Sequence, residues 1–131
     1  MSGAAGGCQA ECGVAAAMAA AALVEMFDGT PEMAFNAASI AIMNVLGLIC
    51  DPVAGLVEIP CGKRNSSDVV NAMASADIAL AGVDSVIPFD EVVAAMYKVG
   101  KQLPESLRET SMGGLATTPT ALKLAEQLKK K

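Results

Sequence analysis

The segment from Gly13 to Phe27 places the strongest constraint on the fold of this 131-residue chain. Alanine outnumbers every other residue in this segment, and alanine has the highest intrinsic preference for the α-helix. The apolar residues lie on all sides of such a helix, which is typical of a helix that other elements surround. We therefore predict a central, buried helix that ends at Asp28 and Gly29.

Capping signals predict a second helix directly after the first. Thr30 is suited to the N-cap, Pro31 to the first helical position and Glu32 to the positive end of the helix dipole, and the pattern continues to about Leu46. Apolar periodicity and turn residues predict the rest. These are helices over residues 65–81, 89–101 and 120–130, and a short helical start at 104–110. Asn65 or Ser66 is the expected N-cap of the first, and Thr118-Pro119 caps the last.

The composition agrees with a helical domain of ordinary globular size. The chain is 53% hydrophobic and 18% charged, but it has only three Phe, one Tyr and no Trp. The core must therefore be built from small and aliphatic side chains, which lets helices approach closely. We expect an all-α fold, a compact bundle of about five to six helices with irregular cysteine-bearing loops, forming a single domain over residues 1–131.

Charge and hydropathy exclude several classes of protein. The formal net charge is −5, which argues against nucleic-acid binding because that binding depends on neutralising phosphates. The apolar run from Val14 to Val24 is shorter than the roughly 20 residues that span a bilayer, and there is no signal-peptide pattern. We therefore expect no nucleic-acid or membrane partner and a cytoplasmic location, where thiols stay reduced.

The cysteines flank loops rather than lying along one helix. Pro52 and Pro60 force the chain between Cys50 and Cys61 out of a helix. Cys8 precedes the alanine-rich helix, and a helical hairpin would return Cys50 to its vicinity. Three thiols on three loop ends could then meet.

The residues leave two interpretations of these thiols open. Converging cysteines in a chain without histidine suggest an iron–sulfur cluster or a thiolate zinc site, and the wide spacing of Cys50 and Cys61 favours the cluster. Alternatively, the four cysteines are buried and reduced and act as small hydrophobic residues. The spacing alone does not decide between them.

Four stretches of the chain resemble a known family. They are GAAGGCQAECGVAAAMAAAALVEMF, NVLGLICDPVAGLVEIPCGKRN, ADIALAG and LRETSMGGLATTPT. Together they are similar to the C-terminal half of the catalytic (alpha) part of the iron–sulfur-dependent L-serine dehydratases. The resemblance covers nearly the whole chain, and the motifs around Cys50 and Cys61 are long and specific.

The resemblance implies a function and a cofactor. Members of this family eliminate water from L-serine to give pyruvate and ammonia, a reaction of amino-acid degradation and gluconeogenesis, with an oxygen-labile [4Fe-4S] cluster in an all-helical domain. The family's three cluster ligands fall on Cys8, Cys50 and Cys61, and Cys12 is a spare thiol. The alternative class is a non-catalytic helical domain with structural or zinc-binding cysteines.

The resemblance also suggests which residues would meet the substrate. Lys63, Arg64 and Asn65 follow the ligand Cys61, and Arg108 precedes a pair of glycines. A guanidinium group pairs with a carboxylate in a bidentate manner, so we expect Arg64 or Arg108 to bind the carboxylate of serine. The alternative for the loop charges is simple solvation. The catalytic base stays unassigned because the chain contains no histidine.

The chain departs from the family in its length. Alpha chains of the family are longer, and their N-terminal half with its Ser-, Thr- and His-rich motifs has no counterpart here. We therefore expect this chain to be a fragment that is inactive alone. Its expected partners are L-serine, the remaining N-terminal half of the alpha domain and a beta subunit, within an oligomer.

Overall fold

A computed structural model describes residues 1–130, and these residues form six α-helices and no β-strand. The helices are α1 (Gly3–Gly6), α2 (Cys12–Met26), α3 (Pro31–Asn44), α4 (Cys61–Leu80), α5 (Phe89–Gln102) and α6 (Pro119–Lys129). Short 3-10 turns lie at Cys8–Ala10, Val53–Gly55, Glu105–Leu107 and Gly114–Thr117. The predicted all-α bundle is confirmed.

The core lies where α2, α3 and α4 pack against one another, with α5 against α3. Most of its buried side chains are alanines, and α2, α3 and α4 each contribute three of them. Because alanine adds only a methyl group to the helix surface, the helix backbones come close together. The larger buried residues fill the spaces that remain: Val24, Ile42, Val92 and Met96.

Helix α2 is central, as predicted, but its sides are not all covered. Met18 and Met26 point outward, with 70% and 76% of their surface exposed. The segment Cys8–Met26 is long and apolar enough to cross a membrane by length and composition alone, and half of it is buried within the protein. Core helices pass the same test. Within residues 1–130, α2 packs chiefly against α3 and α4, which leave Met18 and Met26 exposed.

Local capping signals locate two helix starts correctly. The Thr30 hydroxyl accepts a hydrogen bond from the Met33 amide at 3.3 Å, with Pro31 at the first helical position. Thr118 caps α6 in the same way, accepting from the Ala121 amide at 3.4 Å. Both contacts span three residues, so the sequence pattern is sufficient to predict them.

The predicted start of α4 at Asn65 or Ser66 is wrong. The helix begins at Cys61, and the amides of Lys63 and Arg64 both donate to the Pro60 carbonyl at 3.0 Å. This first turn is also held from outside, since Arg64 forms an ion pair with Asp51 at 2.8 Å. Capping rules do not include such a tertiary contact. As a result, Cys61 is the first residue of a helix and not part of a loop.

Helix α5 makes a close backbone contact with α1. A Cβ atom built on Gly100 would lie 2.8 Å from the Cα of Gly6, a backbone atom. Glycine is thus required at position 100 by packing, even though alanine is the better helix former. The contact holds the N-terminal segment, and with it the turn that carries Cys8, against α5.

We predict that Gly100→Ala destabilises the protein and that Gly62→Ala does not. Overpacking costs about 1–3 kcal/mol, which outweighs the gain of up to about 1 kcal/mol from replacing a helical glycine by alanine. Gly62 lies in the first turn of α4, and a Cβ atom there meets nothing within 4 Å. Thermal unfolding followed by circular dichroism should give a lower Tm for Gly100→Ala alone. Equal Tm values for the two variants would contradict the close contact.

Candidate functional site

All four cysteines line one cavity of about 250 Å³. Cys8 lies in the first 3-10 turn, Cys12 begins α2, Cys50 follows α3 and Cys61 begins α4. Each is buried, and none is in a disulfide. The fold thus brings thiols from four separate elements to one place.

Gln9 holds the turn that carries Cys8. Its side chain is completely buried and satisfies three backbone groups. Nε2 donates to the carbonyls of Gly6 at 2.8 Å and Met96 at 3.1 Å, and Oε1 accepts from the Gly47 amide at 2.9 Å. One amide side chain therefore ties the turn to α5 and to the chain leaving α3.

The backbone of Cys50 pairs with a distant segment of the chain. Its amide donates to the Leu107 carbonyl at 2.9 Å, and its carbonyl accepts from the Glu109 amide at 2.7 Å, forming a parallel bridge with Arg108. The position of Cys50 is therefore set by the stretch 107–109. That stretch belongs to LRETSMGGLATTPT, so two of the motifs quoted above are in contact.

Asp51 links the Cys50 loop to the paired glycines. Its carboxylate is 99% buried, and Oδ2 accepts from the Leu115 amide at 2.6 Å. Gly114 has a positive φ of 60°, and any side chain there would overlap Asp51. Paired glycines let backbone amides approach an anion closely, and the anion next to them here is the protein's own Asp51.

Arg64 lies at the junction of three segments. Its Nη1 donates to the Ile49 carbonyl at 2.8 Å and to the Cys8 sulfur at 3.7 Å. The same nitrogen is 2.8 Å from Asp51 Oδ1. That oxygen has no hydrogen-bond partner within residues 1–130, so the contact with Asp51 is an ion pair without an aligned N–H. Burial opposes the charge of Arg64, but Asp51 and Cys8 together outweigh it and raise the pKa of the guanidinium.

The other residues predicted to meet a substrate are placed differently. Asn65 lines the cavity, and its Oδ1 accepts from the Cys12 thiol at 3.3 Å. Lys63 is exposed and is not among the residues that line the cavity. Arg108 is half-buried, and its Nε has no hydrogen-bond partner within the described chain.

Three of the cysteines in the cavity, Cys12, Cys50 and Cys61, have a raised thiol pKa. Burial, together with the neighbouring Cys8 and Asp68, raises the pKa of the Cys12 thiol to about 12. Burial and Cys8 raise the pKa of the Cys50 thiol to about 12 as well. Burial also raises the pKa of Cys61 above its usual value, against the pull of Arg64. A metal would therefore have to displace protons in order to bind here.

The donor set fits a cluster better than a single ion. Within residues 1–130, no three His, Cys, Asp or Glu side chains are grouped so that they could hold one metal ion. An iron–sulfur cluster is a body of several atoms, so its thiolate ligands stand further apart than those of a lone ion. The cysteines around this cavity supply the sulfur donors that hold such clusters.

Sequence reasoning missed three carboxylates near the thiols. Asp51 is buried beside Cys50, whereas Glu11 and Glu109 are exposed residues that line the cavity. The signal for Asp51 was its position next to a cysteine, as the only charged residue between Glu32 and Glu58. The signal for Glu11 and Glu109 was weaker, because exposed acids are common on any surface.

A fourth carboxyl group lies in an adjacent cavity. Asp68 is 93% buried, and its Oδ2 has no hydrogen-bond partner among the described residues. It lines a space of about 370 Å³ that shares Cys12 and Asn65 with the thiol cavity. Burial raises the pKa of Asp68 above its ordinary value, although Cys12 and Asn71 work in the opposite direction.

Comparison with known proteins gives consistent results. Residues 1–116 match the profile of the family described as serine dehydratase alpha chain. The L-serine dehydratase alpha chain of Peptoniphilus asaccharolyticus is 66% identical over 93% of this chain and 42% of its own length. A probable L-serine dehydratase alpha chain of Bacillus subtilis is 60% identical over 98% of this chain and 43% of its own length. L-serine dehydratase TdcG of Escherichia coli is 48% identical over 88% of this chain and 26% of its own. This chain thus spans about two fifths of the length of the first two relatives.

We predict that Asp68→Asn raises the Tm at pH 7 and that the gain shrinks in acid. A carboxyl group whose pKa is raised on folding stabilises the folded state fully below its unfolded pKa, and this contribution is lost as the pH rises through the folded-state pKa. Asn cannot ionise, so the variant does not lose this contribution to stability at pH 7. Thermal unfolding between pH 7 and pH 4 measures the difference, with the exposed Asp77→Asn on the same helix as control. A gain that does not vary with pH would contradict the assignment.

Proposed function

Because the chain belongs to the serine dehydratase alpha-chain family, we propose that it is the cysteine-bearing part of an iron–sulfur-dependent L-serine dehydratase, corresponding to the C-terminal half of the alpha chain. The complete enzyme would eliminate water from L-serine to give pyruvate and ammonia. The observation that carries the proposal is the convergence of four buried, reduced cysteines on one cavity. A cytoplasmic location and a role in amino-acid degradation and gluconeogenesis belong to the same proposal.

We assign Cys8, Cys50 and Cys61 as the ligands of a [4Fe-4S] cluster, with Cys12 as the spare thiol. Cys8, Cys12 and Cys50 form one small cluster of buried residues, and Cys61 lines the same cavity as these three. The choice of Cys61 rather than Cys12 as the third ligand comes from the family resemblance. The thiol of Cys12 already has an acceptor in Asn65, 3.3 Å away. It therefore has a structural role without a metal.

Three thiolates leave one iron of such a cluster without a protein ligand. When bound, the cluster supplies a Lewis acid that makes hydroxide a better leaving group. The chain's own residues would bind and orient the substrate. Glu11 and Glu109 line the cavity with negative charge that suits an ammonium group.

The carboxylate of the substrate requires a cation or a hydrogen-bond donor. Of the four residues proposed from the sequence, Asn65 lies at the cavity, and Arg108 carries a buried Nε that lacks an acceptor within residues 1–130. Lys63 is exposed on the same turn of α4 as Asn65, and the guanidinium of Arg64 is already engaged by Asp51 and the Ile49 carbonyl. The chain contains no histidine, so we propose that the base that removes the α-proton comes from another part of the enzyme.

We propose that the remainder of the alpha chain covers an apolar groove on α2, α3 and α5. The groove has a volume of about 550 Å³, and among the described residues Glu25 is the only charged one in its lining. Met18 and Phe35 line it although 70% and 60% of their surface is exposed. A helix that is apolar on every side calls for cover on every side. The relatives, which are more than twice as long as the matched region, contain the residues that could provide it. The name alpha chain further suggests a beta subunit in an oligomer.

We expect Cys→Ser at Cys8, Cys50 or Cys61 to abolish cluster assembly and Cys12→Ser to leave it intact. Serine is a poor ligand for iron compared with a thiolate, and a cluster with two cysteine ligands is easily lost. Iron and sulfide content after anaerobic reconstitution, with the visible absorption, measures the outcome. An equal loss in all four variants, or a loss in Cys12→Ser alone, would contradict the ligand assignment.

We expect the reconstituted chain to form pyruvate from L-serine only after the complementary part of an alpha chain is added. That part can be taken from the Bacillus subtilis relative, as the region outside the match.

Met18→Glu should weaken binding of the complement at least tenfold by placing a charge in the groove, without lowering the Tm. Met73→Glu on α4 is the control, since Met73 is also exposed and lies outside the groove. Pyruvate formation by the chain alone, or equal binding by both variants, would contradict this part of the proposal.

A further inference from the structure

We propose that Arg64 is a positioning residue for the site formed by Cys8, Cys50 and Cys61. Its guanidinium holds the Cys8 sulfur against the Cys50 loop. It would also place a positive charge beside that sulfur. The proposal rests on the proposed function only for the identity of the cluster. It assigns to Arg64 a role different from the carboxylate binding expected from the sequence.

The contacts of one nitrogen carry the argument. Nη1 is 3.7 Å from Cys8 Sγ, 2.8 Å from the Ile49 carbonyl and 2.8 Å from Asp51 Oδ1. These partners lie on two segments, and Arg64 itself lies on α4, one turn after Cys61. A single group thus joins the three elements that carry Cys8, Cys50 and Cys61.

Burial makes this arrangement specific to arginine. Only 18% of the Arg64 side chain and 1% of the Asp51 side chain are exposed. Guanidinium is planar and keeps its charge when buried, with donors in a fixed fork, whereas the ammonium of lysine is a compact, strongly hydrated point charge. Lysine would therefore keep the charge but would not hold the same partners together.

The charge also bears on the electronic properties of the centre. Hydrogen bonds to ligand sulfurs and the local net charge set the reduction potential of an iron–sulfur cluster. A cation beside Cys8 favours the reduced form, which carries one more negative charge. Removing the cation should therefore lower the reduction potential. An effect on packing alone has no defined sign, so a lower potential points to the charge.

Asp51 completes the arrangement from the other side. Its Oδ1 faces Arg64, and its Oδ2 accepts from the Leu115 amide at 2.6 Å. The carboxylate thereby fixes the guanidinium and connects it to the glycine pair. Asp51→Asn keeps the shape of the side chain but leaves Arg64 without its counter-charge, so it should weaken the same sulfur contact indirectly.

The test compares Arg64→Gln, Arg64→Lys and Asp51→Asn with Lys63→Gln. Lys63 is the adjacent residue, is exposed, and loses the same unit of charge in the control. After anaerobic reconstitution without L-serine, we expect Arg64→Gln and Asp51→Asn to hold less iron and to lose absorbance several-fold faster in air. The reduction potential of any cluster in Arg64→Gln should be lower than in the control. Arg64→Lys should fall between Arg64→Gln and the wild type.

Hydrogen exchange of the metal-free chain gives a second readout that does not depend on the cluster. The Gln9 amide donates to the Leu48 carbonyl between two segments that Arg64 joins, and the Cys50 amide donates from the loop held by Arg64 to the Leu107 carbonyl. Their exchange should accelerate in Arg64→Gln and Asp51→Asn, but not in Lys63→Gln. If all variants match the control in exchange, iron content and potential, Arg64 has no positioning role. If exchange accelerates in Arg64→Gln and Asp51→Asn as expected but the wild type binds no iron, the proposed function is wrong. The positioning of Cys8 by Arg64 is then still supported.

Discussion

The buried ion pair between Asp51 and Arg64 is the contact on which the rest of the cysteine region depends. Taking both charges out of water is costly, and removing one partner of a buried pair costs about 3–5 kcal/mol. The two side chains nevertheless connect the Cys8 turn, the Cys50 loop, the first turn of α4 and the glycine pair. The ion pair between Asp51 and Arg64 therefore positions four segments, although its formation requires the desolvation of two charges.

The alanine core imposes the second constraint. Small side chains let α2, α3 and α4 pack closely, and in α5 even a methyl group at Gly100 would collide with the backbone of Gly6. A core of this kind buries little surface per residue. The outer sides of the helices are apolar as well, as the exposed methionines of α2 and the groove beside α5 show, and this is the surface for which we propose a cover from the rest of the alpha chain.

The site and the core meet at the start of α2. Cys12 begins this helix, and its thiol, like those of Cys50 and Cys61, has a raised pKa because it is buried. These three sulfurs are therefore protonated and neutral at pH 7. Metal binding would release protons and convert the cavity into a charged centre, at which point the cation of Arg64 gains its importance.

The sequence by itself determined those features that depend on neighbouring residues. The cap of α3 at Thr30, the cap of α6 at Thr118 and the helical character of α2 follow from contacts or preferences that span one turn. The sequence also identified Cys8, Cys50 and Cys61 as candidate ligands, because the motifs around them resemble those of one family. Only the tertiary structure decided the start of α4, the covered side of α2 and the partners of Arg64. The physical reason is distance along the chain: Asp51 accepts from an amide 64 residues away, and no local pattern encodes which charge a folded chain will bring to an arginine.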